Sequence, residues 1–221
     1  MLDVHPAHHA ATSWKEFFVH IATIVLGLLV AVGLEQAVES IHHGHQIRDM
    51  ESTLRAEDVE NQTIIAFDMQ AVDGAVATTN GAMAALQTPA PASGPAPMQQ
   101  PPEVNLFIPG DSAWLAARDS GLLALAPRSL VDNYWKVYRV QDLTASQVRA
   151  AYGDLDRIQA LASLHVSASS LSPADRDSML VAYANYRESL KVLKIDLDML
   201  NRATGLALSD QTVDAKSIYK M

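Results

Sequence analysis

Eight histidines in 221 residues, with no cysteine among them, are the side chains here best suited to hold a metal ion. His5, His8 and His9 lie in the N-terminal tail, and His42, His43 and His45 lie in the run Ile41-His42-His43-Gly44-His45. On a helix His42 and His45 share a face at i, i+3, which is half of a zinc or copper site that a parallel dimer would complete. The plainer expectation is an interfacial belt whose imidazoles bridge headgroup and water and respond to pH. No metal ligand is assigned on this spacing, and no cofactor is expected.

Carboxylates are the second group. Asp49, Glu51, Glu57, Asp58, Glu60, Asp68 and Asp73 stand against Arg55 alone. Without EF-hand spacing this pattern predicts a solvated helix face. Asp154/Asp156 and Asp196/Asp198 are two apart on predicted helices, so each pair points to different faces and is expected to be solvated as well. There is no Walker loop, GxGxxG, GxSxG or HExxH anywhere in the chain, so no catalytic residue is assigned and the expectation is a non-enzyme. The missing cysteines exclude disulfides, thiolate zinc sites, iron–sulfur clusters and cysteine nucleophiles. A formal charge of −9 excludes nucleic acid as the main partner, since no basic patch is available to release phosphate counterions.

The elements that carry these residues follow from hydropathy. The chain is 49% apolar and only 19% charged, and the excess sits at Phe17 to Leu34. At 1.5 Å per residue that stretch covers roughly 27 Å, close to a bilayer core, with His20 its one titratable group. It predicts a transmembrane helix anchored at the interface by Trp14 and Lys15. A cleaved signal peptide would want a more basic start and a shorter apolar run, although Ala31-Val32-Gly33 is a passable cleavage site. A buried core helix would show a polar face. Lys15 lies nearer the span than Arg48 or Arg55, which points the N-terminus to the cytoplasm and the remaining mass to the periplasm. Thr23, Gly27 and Ala31, four apart, are either a face for close helix pairing in lipid or the ordinary small-residue content of membrane helices.

Beyond the span the expectation is all-α: one N-terminal transmembrane helix, then an extended antiparallel helical bundle or coiled-coil-like extramembrane domain. A tail over 1–16 and the span over 17–34 lead into a long juxtamembrane helix over 35–87. Ile65, Met69, Val72, Val76, Met83 and Leu86 form its apolar stripe, with Ile47, Met50 and Leu54 in another register. Residues 88–110 read as a linker, six of the ten prolines falling in 88–103. Over 111–205 come a short helix capped by Asp111 or Ser112, carrying Trp114 and Leu115 and interrupted near Gly121, and two long ones. The first long helix has Pro127 in its opening turn and runs to about Ser167, with Gly153 softening it midway. Its apolar positions include Leu130, Tyr134, Tyr138, Val148, Tyr152, Leu155 and Ile158. The last opens on Ser172-Pro173-Ala174-Asp175. Met179, Tyr183, Tyr186, Leu190, Leu193, Leu197 and Leu200 then form a heptad seam that must pack on another helix, in this chain or a neighbour. Gly205 is the expected stop, and 206–221 the expected loose polar tail.

Three blocks carry a resemblance. Trp14-Lys15-Glu16-Phe17, Gly27-Leu28-Leu29-Val30-Ala31 and Leu34-Glu35-Gln36-Ala37-Val38-Glu39, followed by His42-His43, resemble an uncharacterised bacterial single-pass membrane-protein family. Its opening shares a W-K-[DE]-F entry, a G-[LV]-L-x-A run, an L-E-Q-x-x-E exit and histidines. The stretch Ser112 to Leu125, followed by Tyr134 and Tyr138, is similar to a Trp-containing segment further along in that family. The resemblance covers roughly a third of the chain and implies single-pass topology in the bacterial inner membrane and a helical extramembrane part, with no activity attached. The partners expected are the lipid bilayer and another protein or a second copy, met through the transmembrane and C-terminal helices. The function expected is that of an accessory or scaffold subunit. The alternative is a periplasmic ligand- or metal-sensing helical bundle that relies on a partner for output, because about sixteen cytoplasmic residues are too few for an output domain.

Overall fold

A computed structural model describes residues 13–88, 104–165 and 171–218. His5, His8, His9 and most of the expected proline-rich linker lie outside them. The described residues are all-helical, with no strand. They form α1 (Trp14–Gln87), α2 (Ser112–Asp119), a 3₁₀ turn (Leu122–Ala124), α3 (Arg128–Ser163), α4 (Pro173–Leu208) and α5 (Ala215–Ile218). The chain divides into two compact units, Met1–Asp49 and Met50–Met221, and α1 contributes to both.

In the first unit α1 starts at Ser13, whose hydroxyl accepts the Glu16 N–H at 3.3 Å. Every residue of α1 up to His42 is exposed. By length and composition this stretch is a candidate membrane span, and none of its most apolar window is buried. Its few polar side chains are satisfied within the helix: Thr23 Oγ1 donates to the Val19 carbonyl at 2.9 Å, and His20 Nδ1 meets the Glu16 carbonyl at 2.8 Å.

In the second unit three long helices line one core. The seven seam positions of α4, Met179 to Leu200, are each no more than 1% exposed. The seam is therefore consumed inside this chain. Burying each leucine contributes about 1.5–3 kcal/mol. Cross-links fix the helix directions. Arg176 Nη1 donates to the Leu86 carbonyl at 2.7 Å, Lys194 pairs with Asp73, and Arg55 reaches Asp210 at 2.7 Å, so α4 descends as α1 climbs. Gln147 Nε2 donates to the Ser189 carbonyl at 3.0 Å and Thr144 Oγ1 lies 3.5 Å from that of Asp196, which sets α3 antiparallel to α4.

Four expectations need correcting. First, the apolar stripe is only part of the buried row of α1: Ile65, Val72 and Leu86 belong to it, and so do Met50 and Leu54, expected in another register. The row runs Met50, Leu54, Asp58, Asn61, Ile65, Asp68, Val72, Ala75, Thr79, Ala82 and Leu86, a three-and-four step that mixes large apolar residues with polar and small ones. Met69, Val76 and Met83 are only half-buried against the core. Second, residues 104–110 are no free linker, because side chains of α1 and α3 pin them. Third, α3 starts after Pro127, which is its N-cap, ends at Ser163, and passes Gly153 without interruption. Fourth, α4 runs through Gly205. A Cβ there would meet only Gln62 Nε2, at 3.8 Å, so nothing at that position breaks the helix.

The stop comes at Asp210, in the left-handed region (φ 57°). The Gln211 N–H returns to the Leu206 carbonyl at 2.9 Å, as in a Schellman cap. The tail after it is docked. Val213 is fully buried, its N–H donating to Asn133 Oδ1 at 3.1 Å and its carbonyl accepting Lys136 Nζ at 2.6 Å. The Ser172–Asp175 capping box forms as the sequence predicts.

Candidate functional site: a strap on buried acids and the cleft it positions

A segment outside helix and strand has no regular backbone partners, and side chains can supply them. Residues 104–110 and the first turn of α2 are held in this way along α1. The Phe107 N–H donates to Asp68 at 3.1 and 3.2 Å. Asn61 takes both groups of Gly110, accepting its N–H at 2.8 Å and donating to its carbonyl at 2.9 Å. Glu57 Oε2 accepts Ser112 Oγ at 2.6 Å and the Ala113 N–H at 2.9 Å, while Glu57 Oε1 accepts Tyr138 Oη at 2.7 Å. From α3, Gln141 Nε2 donates to the Pro109 and Gly110 carbonyls, both at 2.9 Å. Tyr152 Oη accepts the Leu106 N–H at 2.9 Å and donates to the Val104 carbonyl at 3.0 Å. The expected solvated face is, at Glu57 and Asp68, the rail on which this strap sits.

Asp58 departs furthest from that expectation. It is fully buried, and neither carboxylate oxygen has a hydrogen-bond partner. Burial, with the neighbouring Glu57 charge second, pushes its carboxyl from 3.8 up to about 7. Asp68, also fully buried, is raised by burial to about 6, the Phe107 N–H opposing the shift. The Tyr134 and Tyr138 phenols are pushed up by burial first, with the Asp58 charge adding to both. Tyr134 Oη, Gln141 Oε1 and Thr204 Oγ1 are buried without partners as well. The core of this unit thus holds a polar layer contributed by α1, α3 and α4.

The strap delivers α2 against the outer face of α3. Trp114 stacks on Tyr138, with ring centroids 5.2 Å apart and planes 15° from parallel. Gly121, at φ 77°, turns the chain out of α2, a conformation glycine adopts without strain. Between α2 and α3 lies a cleft of about 330 Å³, with Trp114 and Tyr138 on its walls and Trp135, Arg118, Arg139, Asp111 and Asp142 around them. Its size falls at the lower end of small-molecule sites.

The residues singled out from sequence distribute as follows. Thr23, Gly27 and Ala31 are exposed, and a Cβ on Gly27 would meet nothing within 4 Å. Trp14 packs its ring near Phe17 and Phe18, at 5.8 and 6.0 Å, while Lys15 is exposed. His45 Nδ1 accepts Arg48 Nη2 at 3.1 Å, and His43 lies 3.9 Å from Glu39. Among the described residues no three histidines or carboxylates gather to hold a metal. Asp154 is half-buried and accepts Ser189 Oγ at 2.6 Å, and burial raises Asp196, so neither is a plain solvated charge.

Sequence reasoning missed Asn61, Trp135, Arg139, Gln141 and Asp142. The spacing that could have found the cleft is the same on both walls: 111, 114, 115, 118 and 135, 138, 139, 142 each follow i, i+3, i+4, i+7. Neither protein-family models, curated proteins nor solved structures match this chain.

Proposed function

We infer that this is a non-enzymatic, membrane-anchored interaction protein. Residues 17–34 cross the bacterial inner membrane once, the N-terminus is cytoplasmic, and the unit from Met50 folds in the periplasm as an antiparallel three-helix bundle that serves another protein as an accessory or scaffold subunit. The observation that carries this reading is the first part of α1, whose apolar side chains are exposed over the whole stretch although the rest of the chain has a core to offer them. An apolar surface of that length is stable in lipid and costly in water. The α4 seam is taken up within the chain, so association falls to the Thr23–Gly27–Ala31 face and to the outer surface of the second unit. The resemblance of the Trp14–Glu39 and Ser112–Leu125 blocks agrees with this topology. A photo-crosslinking residue at Gly27 tests it in intact membranes: a stoichiometric protein adduct supports the reading, and adducts to lipid alone contradict it.

A second reading, a ligand-binding domain that relies on a partner for output, is favoured by the cleft between α2 and α3. Thermal-shift measurements with divalent metals and small metabolites test it, and no stabilisation by any of them would sink it.

A further inference from the structure

The cleft is polarised along its length. α2 and α3 run in opposite directions there, since Gly110 adjoins Gln141 at the start of α2 and Trp114 stacks on Tyr138 a turn later. Asp111 and Asp142 therefore fall toward one end. Arg139 stands level with Trp114, and Arg118 falls toward the other end beside Trp135. Asp111, Arg139 and Asp142 hold no ion pair among the described residues, although Arg139 and Asp142 sit at a spacing that permits one. Among the described residues the one ion pair of Arg118 is with its chain neighbour Asp119, at 3.0 Å. Charges of both signs thus line one cleft, Asp111, Arg139 and Asp142 with no ion pair among the described residues, with an indole at its centre and a second, 55% exposed, at its edge.

We propose that this cleft binds a short peptide of two or three residues with both ends free and an apolar or aromatic side chain. The peptide ammonium donates to Asp111 and Asp142. The carboxylate is taken by the forked guanidinium groups of Arg139 and Arg118, whose paired N–H groups match its two oxygens. The side chain lies on Trp114 and Trp135. Length agrees: the helix rise from residue 111 to 118 is about 10 Å, and an extended peptide spans about 3.5 Å per residue. A single amino acid, with its two charges on one carbon, is too short to use both ends of the cleft. The proposal rests on the ligand-binding reading above and specifies its ligand class.

The test uses the full chain in detergent micelles, with Trp14→Phe so that Trp114 and Trp135 alone report by fluorescence. Alanyl-leucyl-alanine is titrated beside its N-acetylated form, its C-amidated form and the doubly blocked form. The free peptide is expected to shift the emission saturably. Either single block should weaken binding about tenfold or more, the loss of one charge-assisted contact. Arg139→Gln should weaken the free peptide and narrow its margin over the C-amide, since Arg118 alone then reads the carboxylate. Asp142→Asn should do the same for the N-acetyl form. Both side chains are exposed, so circular dichroism should be unchanged in the variants. Equal binding of free and doubly blocked peptides overturns the ligand class while leaving the cleft as a binding site. No response to any peptide, together with no hit in the metabolite screen, overturns both.

Discussion

The two stretches of α1 use apolar residues in opposite ways. Between Phe17 and Leu34 nearly every side chain is apolar and every one is exposed; between Met50 and Leu86 the buried row includes Asp58, Asn61, Asp68 and Thr79. Hydrophobicity therefore marks the exposed candidate span of this helix better than it marks where the helix meets its own core. On the candidate span none of the most apolar window is buried among the described residues, so apolarity is the whole signal. In the domain, α1 must also hold an extended strap whose backbone groups need partners, and Glu57, Asn61 and Asp68 supply them. Of the buried row, Asp58 and Thr79 are left with nothing to bond among the described residues.

The contrast is sharpest for leucine. Leu193→Ala, at a fully buried α4 position, should cost about 2–5 kcal/mol in denaturant unfolding of the domain, since a cavity adds to the lost transfer energy. Leu28→Ala, on the exposed stretch, should leave that transition where it is. A matching loss from Leu28→Ala would mean that the span packs as core.

Asp58 gives the next largest effect, with a definite sign. Its carboxyl titrates near 7 when folded and near 3.8 when not, so the folded state binds the extra proton between those values. This group's contribution to stability therefore falls as pH rises from about 4 to about 7 and is flat above. The limit of the loss is about 4 kcal/mol, and Asp68 adds in the same direction up to about pH 6. Asp58→Asn should remove most of that slope and be more stable than the parent at pH 8, measured by urea titrations across pH. An unchanged slope would show that Asp58 is solvated in the folded chain.

Glu57→Ala removes the acceptor for Ser112, Ala113 and Tyr138 together and should cost about 2–3 kcal/mol. It should also release α2, seen as a red shift of Trp114 emission as its stack on Tyr138 opens. The smallest effect expected is that of Ser172→Ala at the α4 capping box, about 1 kcal/mol, because a cap satisfies donors that water otherwise serves.

The legible parts of this fold were those where one physical term dominates. The span is apolar throughout, the α4 seam is a strict heptad, and the Ser172–Asp175 box is local chemistry; each needs no knowledge of the rest of the chain. The illegible parts depend on tertiary partners. The polar members of the α1 seam were hidden because hydrophobic periodicity passes over them, and Asn61 and Asp68 make sense only beside the strap. Gly205 read as a stop because glycine often ends helices, whereas the stop is Asp210, held left-handed by a returning N–H and an ion pair with Arg55. The tail read as loose because Asn133 and Lys136, which fasten it, lie about eighty residues away along the chain. Each wall of the cleft carries a readable i, i+3, i+4, i+7 row, but the two become one site only once α2 is laid against α3.

The absence of cysteine makes the central claim directly measurable. Single cysteines placed along α1 and challenged with a membrane-impermeant thiol reagent in intact membranes should give three levels of reactivity. Positions 24 to 29 should be silent in the bilayer yet react once the chain is denatured. Position 56, exposed in the domain, should label readily, and positions 65 and 72, buried in the core, should stay protected until the domain unfolds. Labelling at 24 to 29 as fast as at 56 would contradict the division of α1 into a lipid-facing span and a water-soluble, strap-bearing domain helix.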